Sequence, residues 1–404
     1  MRFLTLDLGS TYTKAALMEA AMPLRQCTLP APSPVRSDGG RCEIDAEAYF
    51  AQVESVLDAL WDKDARALLI STQMHGCVLT DDSFRPVSPY LSWRDGLGGQ
   101  QLQTIRQRLG EESTAPSGVP LKGNLGLCAL MARQLIGEAL APHARLCTLG
   151  GYMIGRLTGA YVCHMTNAAP LGLADIRCGC WNAGLLDRAG LDLQLPQVIT
   201  GLTPVGSWRG LSVYPDLGDQ QVCAAGASLV PEKSLHISIG TAGLIGGLTA
   251  SDAAGPYETR PWITPGLYLR TVSGLPGGRH LAGLVGLIQS FASQFGQTLP
   301  EQQVWDFLTA CAPCGEAPGR DPWQRLSLSA EAWVAALYAD LASAYAGAAA
   351  RLSLPIDRLA FSGGAAAKNP ALRSAIGRAF RCDAPDTDHD ALRGMAAIAA
   401  TLHA

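Results

Sequence analysis

The stretch FLTLDLGSTYTKAALM (residues 3–18) sets the fold class of this chain. Apolar and polar side chains alternate over residues 3–8, a glycine turn breaks the pattern at residues 9–11, and an apolar run resumes at residues 15–18. Alternation with a period of two is typical of a half-buried strand. The stretch therefore predicts two strands joined by a tight turn.

The segment after this hairpin adds a helix and a further strand. A third strand is predicted over residues 26–29, and Asp45 is predicted to cap an amphipathic helix with apolar residues at helical spacing. An apolar strand follows over residues 67–70. Hairpin strands, then a helix, then a strand of parallel type predict an α/β sheet.

A second copy of the opening pattern stands near the middle of the chain. HISIGT (residues 236–241) is again a strand that leads into a glycine turn. A repeat at half-chain spacing predicts two similar domains, which we place at residues 1–230 and 231–404. The first copy carries Asp7 where the second carries Ser238, so only the first brings a carboxylate that could seek a metal.

The second half continues the same type of structure. An Ala-rich helix is predicted over residues 333–352, a short buried strand over 359–362 and a glycine turn at Gly363. Asn369, followed by proline, is predicted to be the N-cap of another helix. The Pro/Gly-rich residues 311–322 are predicted to form a loop.

Composition narrows the possible partners. The chain has 404 residues, 48% of them hydrophobic, and a formal net charge of -4. It has no basic run, which argues against nucleic acid or an anionic membrane surface as a partner. The first residues lack the features of a signal peptide, and no apolar run is long enough for a membrane span, so we expect a cytoplasmic protein.

Cysteine usage fits a reducing compartment. The default interpretation of the 12 cysteines is that each is a small buried side chain or a free thiol. Cys311 with Cys314, and Cys178 with Cys180, could each be half of a zinc site, but neither has a second pair at the usual spacing.

Both glycine turns could bind phosphate. Backbone N-H groups converge in such turns, and the hydroxyls of Ser10, Thr11 and Thr241 add donors. Asp7 ends a buried strand, where it could bind Mg²⁺ or cap the turn that follows. Lys14 could reach a phosphate or be an ordinary surface lysine. The absence of a Gly-Lys dipeptide excludes a Walker A loop.

Asp219 is the candidate catalytic base. It lies in Gly218-Asp219-Gln220-Gln221, just before a small-residue segment, and therefore at a turn that opens a helix. A carboxylate there could accept a proton from a sugar hydroxyl that attacks a γ-phosphate. By itself, the commoner role for such an aspartate is a helix cap.

Polar and aromatic residues suited to a polyol follow the strand at 67–70. Gln73-Met74-His75-Gly76 comes first, and Trp93-Arg94-Asp95 follows a loop. Polyol recognition requires hydrogen bonds to hydroxyls and an apolar face for the C-H skeleton. A buried histidine and a core tryptophan remain the plainer alternatives.

Together these segments resemble the carbohydrate kinases named for their Phe-Gly-Gly-Tyr signature (FGGY), which include glycerol kinase, xylulokinase, ribulokinase and sedoheptulokinase. Asp7-Leu8-Gly9-Ser10-Thr11 with Lys14 is similar to the family's first phosphate loop, and Ile239-Gly240-Thr241 to its second. Gly218 to Gln221 matches the segment with the catalytic Asp. Ser362 to Ala365 with Asn369 resembles the adenosine loop, and residues 392–400 resemble the closing small-residue helix.

This resemblance implies two ribonuclease H-like (actin-like ATPase) domains flanking a central nucleotide and sugar cleft, with ATP and Mg²⁺ as cofactors. It makes Asp219 the general base and assigns Asp7 and Asp219 to the metal. The residues that it assigns to the nucleotide are Gly9, Ser10, Thr11, Lys14, Gly240, Thr241, Gly363, Gly364, Ala365 and Asn369. Those assigned to the sugar are Gln73, Met74, His75, Trp93, Asp95, Asn167 and Gln220.

Some positions depart from the family pattern. Leu97 stands where many members carry arginine, and Ala365 replaces the third glycine of the adenosine loop. The chain is shorter than most members, and residues 315–317 are what remains of a Gly-Glu-Arg segment, so we expect a trimmed C-terminal domain. Residues 166–169 and 268–278 look more like sedoheptulokinase than xylulokinase.

The leading hypothesis is an ATP-dependent kinase of a ketose such as sedoheptulose or xylulose. An actin-like ATPase that reactivates a partner enzyme, and a sugar-binding relative without activity, are the alternatives. The sequence leaves homodimerisation open.

Overall fold

A computed structural model describes residues 1–311, 328–385 and 391–402. The strands are β1 Arg2–Leu8, β2 Tyr12–Glu19, β3 Met22–Pro30, β4 Pro34–Arg36, β5 Glu43–Ile44, β6 Ala65–Thr72, β7 Val78–Thr80, β8 Tyr90–Leu91, β9 Ala144–Cys147, β10 Val162–His164, β11 Ala174–Asp175, β12 Cys180–Trp181, β13 Leu193–Gln194, β14 Gln197–Ile199, β15 Gly206–Trp208, β16 Leu211–Gly218, β17 Ser234–Ile239, β18 Gly243–Thr249, β19 Glu258–Pro261, β20 Tyr268–Leu275 and β21 Arg358–Ser362.

The helices are α1 Ala46–Leu60, α2 Leu97–Gln100, α3 Leu102–Leu109, α4 Gly126–Leu135, α5 Leu149–Thr158, α6 Met165–Ala168, α7 Ala183–Ala189, α8 Asp219–Gly226, α9 Gly278–Gln294, α10 Glu301–Ala310, α11 Ala330–Leu352, α12 Gly364–Lys368, α13 Pro370–Phe380 and α14 Ala391–Thr401. Short 3₁₀ turns cover Ala115–Ser117 and Ala169–Leu171.

The first large sheet has the strand order β15-β16-β6-β1-β2-β3. β1 is antiparallel to β2 and parallel to β6, and β6 is parallel to β16. The predicted hairpin, helix and parallel strand are thus confirmed. Asp45 caps α1 as predicted, because its carboxylate accepts the backbone N-H groups of Glu47 and Ala48. Since β1, β6 and β16 run in the same direction, their C-terminal ends meet at one edge of the sheet.

The second large sheet repeats this plan, with the order β19-β20-β18-β17-β21. β17 is antiparallel to β18 and parallel to β21, just as β1 lies between β2 and β6. The turn after β17 therefore corresponds to the turn after β1. The predicted repeat is present in the sheet topology, and the boundary near residue 230 remains a prediction.

Each sheet has its own apolar core, but the last helix crosses between the halves. The core of the second sheet is filled mainly by α11 and α13. α14, in the sequence range predicted for the C-terminal domain, packs instead on α8 and on the first sheet, where Met395 is buried against Val222. The small residue Gly394 permits this approach, since a Cβ there would lie 1.9 Å from the Val222 carbonyl oxygen.

The cysteine prediction was wrong for one pair. Cys178 and Cys180 form a disulfide, and Gly179 between them has a φ of +66°, a left-handed conformation that turns the chain back. In the described ranges, no cluster of three or more His, Cys, Asp and Glu side chains could hold a metal ion. Cys314, residues 315–317 and all but the first residue of the loop predicted at 311–322 lie outside the described residues.

None of the helices in the part of the chain that the structure describes is both long and apolar enough to cross a membrane.

Candidate active site

Asp7 lies at the edge of the first sheet where the parallel strands end. The register places Lys14 of β2 and Ser71 of β6 on either side of it. Ser71 donates a hydrogen bond from Oγ to Asp7 Oδ1 at 2.8 Å. The buried carboxylate thus has a cationic and a hydroxyl residue as neighbours in the sheet, at the start of the first glycine turn.

Asp219 opens α8 directly after β16, at the same edge of the sheet. Burial raises the pKa of its carboxyl group to about 7, and the negative charge of nearby Asp7 adds to the shift. A carboxyl group with a pKa near neutrality can accept a proton and release it again at physiological pH. The carboxylates of Asp7 and Asp219 thus repel each other where β1 and β16 end.

Gly218 lets Met74, in the segment predicted to bind the sugar, approach Asp219. A Cβ at this position would lie 2.6 Å from Met74 Sδ, so any larger residue would push Met74 away. The backbone N-H of Gly218 donates to Thr166 Oγ1 at 2.9 Å, which fixes the turn before Asp219. Met74 therefore packs directly on the backbone that precedes the candidate base.

His75 is neutral and offers a hydrogen-bond acceptor. Its Nδ1 lies 3.0 Å from the carbonyl oxygen of Pro170, and a carbonyl only accepts, so Nδ1 carries the hydrogen and Nε2 is the free acceptor. Burial, together with the charges of Lys122 and Arg260, holds the pKa of His75 well below its usual range. A neutral imidazole in this tautomer can accept a hydroxyl hydrogen of a sugar.

Three of the residues predicted to bind the sugar have a buried polar atom without a hydrogen-bond partner in the structure. These atoms are Gln73 Oε1, Asn167 Oδ1 and Gln220 Nε2. Buried polar atoms are normally paired, and an unpaired one needs an explanation such as a bound ligand or water. The unpaired atoms therefore agree with a polar ligand in this region.

Other residues predicted to bind the sugar make hydrogen bonds within the protein. Asp95 is buried and accepts hydrogen bonds from Arg133 Nη2 and from the backbone N-H of Cys42, both at 2.9 Å. The Asn167 amide donates to Asp216 Oδ2 at 2.8 Å and to Thr72 Oγ1 at 3.1 Å. Trp93 is partly exposed. The structure thus places Gln220 next to Asp219 in α8 and Met74 against Gly218, whereas Asp95 is paired with Arg133.

The first glycine turn is anchored from beneath. The N-H of Gly9 donates to the carbonyl oxygen of Tyr12 at 3.1 Å, and the Tyr49 hydroxyl donates to the carbonyl oxygen of Gly9 at 3.2 Å. Ser10 is partly exposed and Thr11 is exposed, so the hydroxyls that could reach a phosphate lie toward solvent. An anchored turn with outward donors suits phosphate binding.

The second glycine turn is bound to the start of a long helix. The N-H of Gly278 donates to the carbonyl oxygen of Gly240 at 2.7 Å, and that of Arg279 donates to Thr241 at 3.0 Å. Gly278 is the first residue of α9, which has 17 residues. A long helix concentrates partial positive charge at its N-terminus, which favours an anion there.

The predicted adenosine loop touches this second turn. Gly363 has a φ of +91°, and a Cβ at that position would lie 2.6 Å from the carbonyl carbon and oxygen of Ile239. Asn369 caps α13 as predicted, but its amide also donates to the Tyr338 hydroxyl at 2.7 Å. Both polar groups of Asn369 therefore serve the protein, whereas Gly364 of the same loop is exposed.

Replacing Gly363 with alanine should damage the nucleotide site. A methyl group would collide with the backbone before Gly240, and alanine at this positive φ is strained. We expect the KM for ATP to rise about tenfold and the melting temperature to fall by about 5 °C. The matched control is Gly347→Ala in α11, where a Cβ meets nothing within 4 Å. Equal behaviour of the two variants would contradict the prediction.

Sequence reasoning missed an ionic cluster beside the site. Glu258 and Arg260 of β19 pair with each other, and Glu258 also pairs with Lys122 at 2.7 Å. None of these residues lies in a recognisable motif. Lys122 and Glu258 are 136 positions apart in the sequence. Only the docking of β19 against the first half could have indicated them.

The sequence profile of the FGGY family of carbohydrate kinases, N-terminal domain, matches residues 2–210, which is more than half of the chain. The chain belongs to the FGGY family of carbohydrate kinases. The resemblance seen in its motifs is therefore confirmed.

Named members of the family align with much of the chain. Xylulose kinase of Escherichia coli is 25% identical over 262 residues, which are 60% of this chain and 53% of that protein. Sedoheptulokinase of Mus musculus is 24% identical over 362 residues, 76% of this chain and 73% of that protein. The aligned part thus spans about half the length of the bacterial family member.

The fold is shared over the whole chain. The crystal structure of xylulose kinase from Rhodospirillum rubrum superposes with a TM-score of 0.84 at 19% identity, covering 100% of this chain and 90% of that one. The predicted two-domain, actin-like ATPase fold of FGGY kinases is confirmed.

The donor groups at the site fit ATP and Mg²⁺. Mg²⁺ is usually held by one or two carboxylates together with water and substrate phosphates, and Asp7 and Asp219 are two mutually repelling carboxylates at one strand edge. The two glycine turns offer backbone and hydroxyl donors of the kind that bind phosphates, whereas the first N-H groups of α9 are already paired with Gly240, Thr241 and Gly277.

Proposed function

We propose that this protein transfers the γ-phosphoryl group of ATP to a hydroxyl of a ketose, with Asp219 as the general base. The observation that carries this proposal is the position of Asp219 at the start of α8, directly after β16 and at the sheet edge that it shares with Asp7, in a chain of a carbohydrate kinase family. Burial and Asp7 raise the pKa of its carboxyl group to about 7. A base of that pKa is matched to deprotonation of a hydroxyl near neutral pH.

The residues around Asp219 would bind and orient the sugar. His75 Nε2 would accept a sugar hydroxyl, while Gln73 Oε1 and Gln220 Nε2 would take an acceptor and a donor role toward others. Met74 offers an apolar contact for the C-H skeleton. Asp219 would take the proton of the attacking hydroxyl at its carboxylate as the oxygen approaches phosphorus.

The nucleotide side of the cleft would be held by backbone groups. The turns at residues 9–11 and 240–241, with Lys14, would bind phosphates, and Gly363 and Gly364 would lie along the adenosine. Bound Mg²⁺, held by Asp7 with Asp219 nearby, would neutralise charge on the phosphates. Most of the rate acceleration would come from alignment and charge stabilisation, since phosphoryl transfer has a loose transition state.

The choice of a ketose rests on named family members. Those with detectable sequence similarity include xylulose kinase and sedoheptulokinase. D-xylulose and sedoheptulose are therefore the first substrates to test, followed by D-ribulose, pentitols and glycerol.

An ADP-release assay across these sugars tests the proposal. We expect ADP formation with at least one ketose and little without sugar. ATP turnover that ignores every sugar but requires a protein partner would instead favour a reactivating ATPase. Ketose binding without ADP formation would identify a non-catalytic sugar-binding relative, and either result would overturn the proposal.

Activity should increase with pH through the neutral range. The ionised carboxylate of Asp219 is the active form, and its pKa is about 7. We therefore expect kcat/KM to fall about tenfold for each pH unit below 7 and to level off above it. A profile that is flat from pH 5.5 to pH 8.5 would contradict this role of Asp219.

A further inference from the structure

Strand β19 (Glu258–Pro261), at the edge of the second sheet, is docked in the first half of the molecule. The N-H of Thr259 donates to the carbonyl oxygen of Gly118 at 2.8 Å. Gln221 Nε2 donates to the carbonyl oxygen of Pro261 at 3.0 Å. Because Gln221 lies two residues after Asp219 on α8, β19 is fixed against the helix that carries the proposed base.

Glu258 of this strand holds Arg260 in one orientation. Its Oε2 accepts Arg260 Nε at 2.9 Å and Nη2 at 2.5 Å, while its Oε1 accepts Lys122 Nζ at 2.7 Å. Although burial opposes ionisation, Arg260 and Lys122 keep the pKa of Glu258 well below its usual range. The ionised carboxylate occupies two of the three guanidinium nitrogens, so Arg260 cannot turn without breaking both bonds.

The third nitrogen of Arg260 is directed at Met74, in the segment predicted to bind the sugar. Nη1 lies 3.7 Å from Met74 Sδ, and a thioether sulfur is a weak acceptor. The same guanidinium acts electrostatically on both His75 and Asp219. Nη1 therefore lies beside Met74, which precedes His75 and packs against the residue before Asp219, and it has donor capacity that sulfur alone does not use well.

We propose that Arg260 is a specificity-determining residue of the sugar pocket, donating from Nη1 to the carbonyl oxygen of an open-chain ketose while His75 accepts the neighbouring hydroxyl. This inference rests on the proposed kinase function. Arginine can only donate, and Nε2 of His75 can only accept. A ketose matches that pair, because its carbonyl oxygen only accepts and lies next to a hydroxyl. The corresponding alditol has a hydroxyl in place of the carbonyl, which can also accept from Arg260 but brings a hydrogen for which an arginine offers no acceptor.

Comparison of D-xylulose with xylitol in Arg260→Met tests this assignment. The carbonyl oxygen gains a full charge-assisted hydrogen bond from Arg260, whereas the alditol hydroxyl gains the same bond but leaves a buried hydrogen without an acceptor. We expect the KM for D-xylulose to rise about 30-fold and that for xylitol about threefold, with the KM for ATP unchanged.

Arg270→Met is the matched control. Arg270 is also buried, on neighbouring β20, but it donates to the carbonyl oxygen of Leu352 and stacks on Tyr257. Loss of the Arg270 side chain should leave the ratio of the KM for D-xylulose to the KM for xylitol unchanged. Equal losses for D-xylulose and xylitol in Arg260→Met would overturn the inference. If that variant does not fold, the same comparison of KM for D-xylulose and xylitol is made with Arg260→Lys. One ammonium group cannot bind Glu258 and the sugar in the same way, so we again expect a larger loss for D-xylulose, and equal losses would overturn the inference.

Failure of the kinase proposal can be recognised separately. If the wild-type protein forms no ADP with any sugar, calorimetry with D-xylulose and xylitol in the presence of a non-hydrolysable ATP analogue replaces the kinetic assay. A preference for D-xylulose that Arg260→Met removes would support the role of Arg260. No preference, or one that survives the substitution, would overturn it.

Discussion

Replacing Asp219 with asparagine should lower kcat about 1,000-fold and leave the KM for ATP nearly unchanged. Asparagine keeps the size of the side chain but cannot accept the hydroxyl proton. The nucleotide is proposed to be held by the two glycine turns, which the substitution does not touch. The measurement is steady-state ADP release with the best ketose, together with equilibrium binding of ATP.

The same variant should be more stable than the wild type at alkaline pH. The pKa of Asp219 rises from an ordinary value of 3.8 to about 7 on folding, so ionisation destabilises the folded state. The cost is fully present above pH 7 and disappears below about pH 4. We expect Asp219→Asn to gain about 4 kcal/mol in unfolding free energy at pH 8 and nothing at pH 4.

Asp45→Asn is the control for this substitution. Asp45 is the N-cap of α1, where its side chain accepts two backbone N-H groups, a role that asparagine fills as well, whereas Asp219 is the first residue of α8 after the N-cap Gly218. Asp45→Asn should retain full activity. An Asp219→Asn variant with activity similar to this control would rule out Asp219 as the base.

Replacing Asp7 with asparagine should lower kcat/KM about 100-fold and raise the Mg²⁺ concentration needed for half-maximal activity. The substitution removes the carboxylate proposed to hold the metal while keeping a group that can accept from Ser71. It also removes the negative charge that raises the pKa of Asp219. The inflection in the pH profile should therefore move to lower pH.

These two readouts separate a role in metal binding from a role in folding. A purely structural Asp7 would change neither the Mg²⁺ dependence nor the pH inflection, even if activity fell. Titration of activity with Mg²⁺ at several pH values provides both measurements. Ser71→Ala, which removes only the hydrogen bond to Asp7, should produce a smaller change in each.

Part of the catalytic edge of the first sheet could be predicted because it is built from local patterns. Alternation before Gly9 and before Gly240 marked the two strands and turns, and the topology places those turns at equivalent positions. Asp7 ends a strand of that pattern, whereas Asp219 was predicted only at a turn that opens a helix. The strand β16, which brings Asp219 to the same edge as Asp7, appears in the structure and not in the sequence patterns.

Side chains with two plausible roles could not be resolved from the sequence. Asn369 carries both the cap of α13 and a hydrogen bond to Tyr338, and Asp95 is occupied by Arg133. A motif gives the residue type at a position but not the partner across the core. The disulfide between Cys178 and Cys180 was missed for a similar reason, since it depends on the left-handed turn at Gly179.

The sequence by itself determined the two-sheet plan, the glycine turns, Asp7 at a strand end and Asp219 at a helix start, because each depends on residues that are neighbours in the chain. Only the tertiary structure decided that α14 returns to the first sheet and that β19 docks on α8 and brings Arg260 to Met74. Those contacts join segments far apart in sequence, and they arise from how the halves pack. No local pattern records such packing.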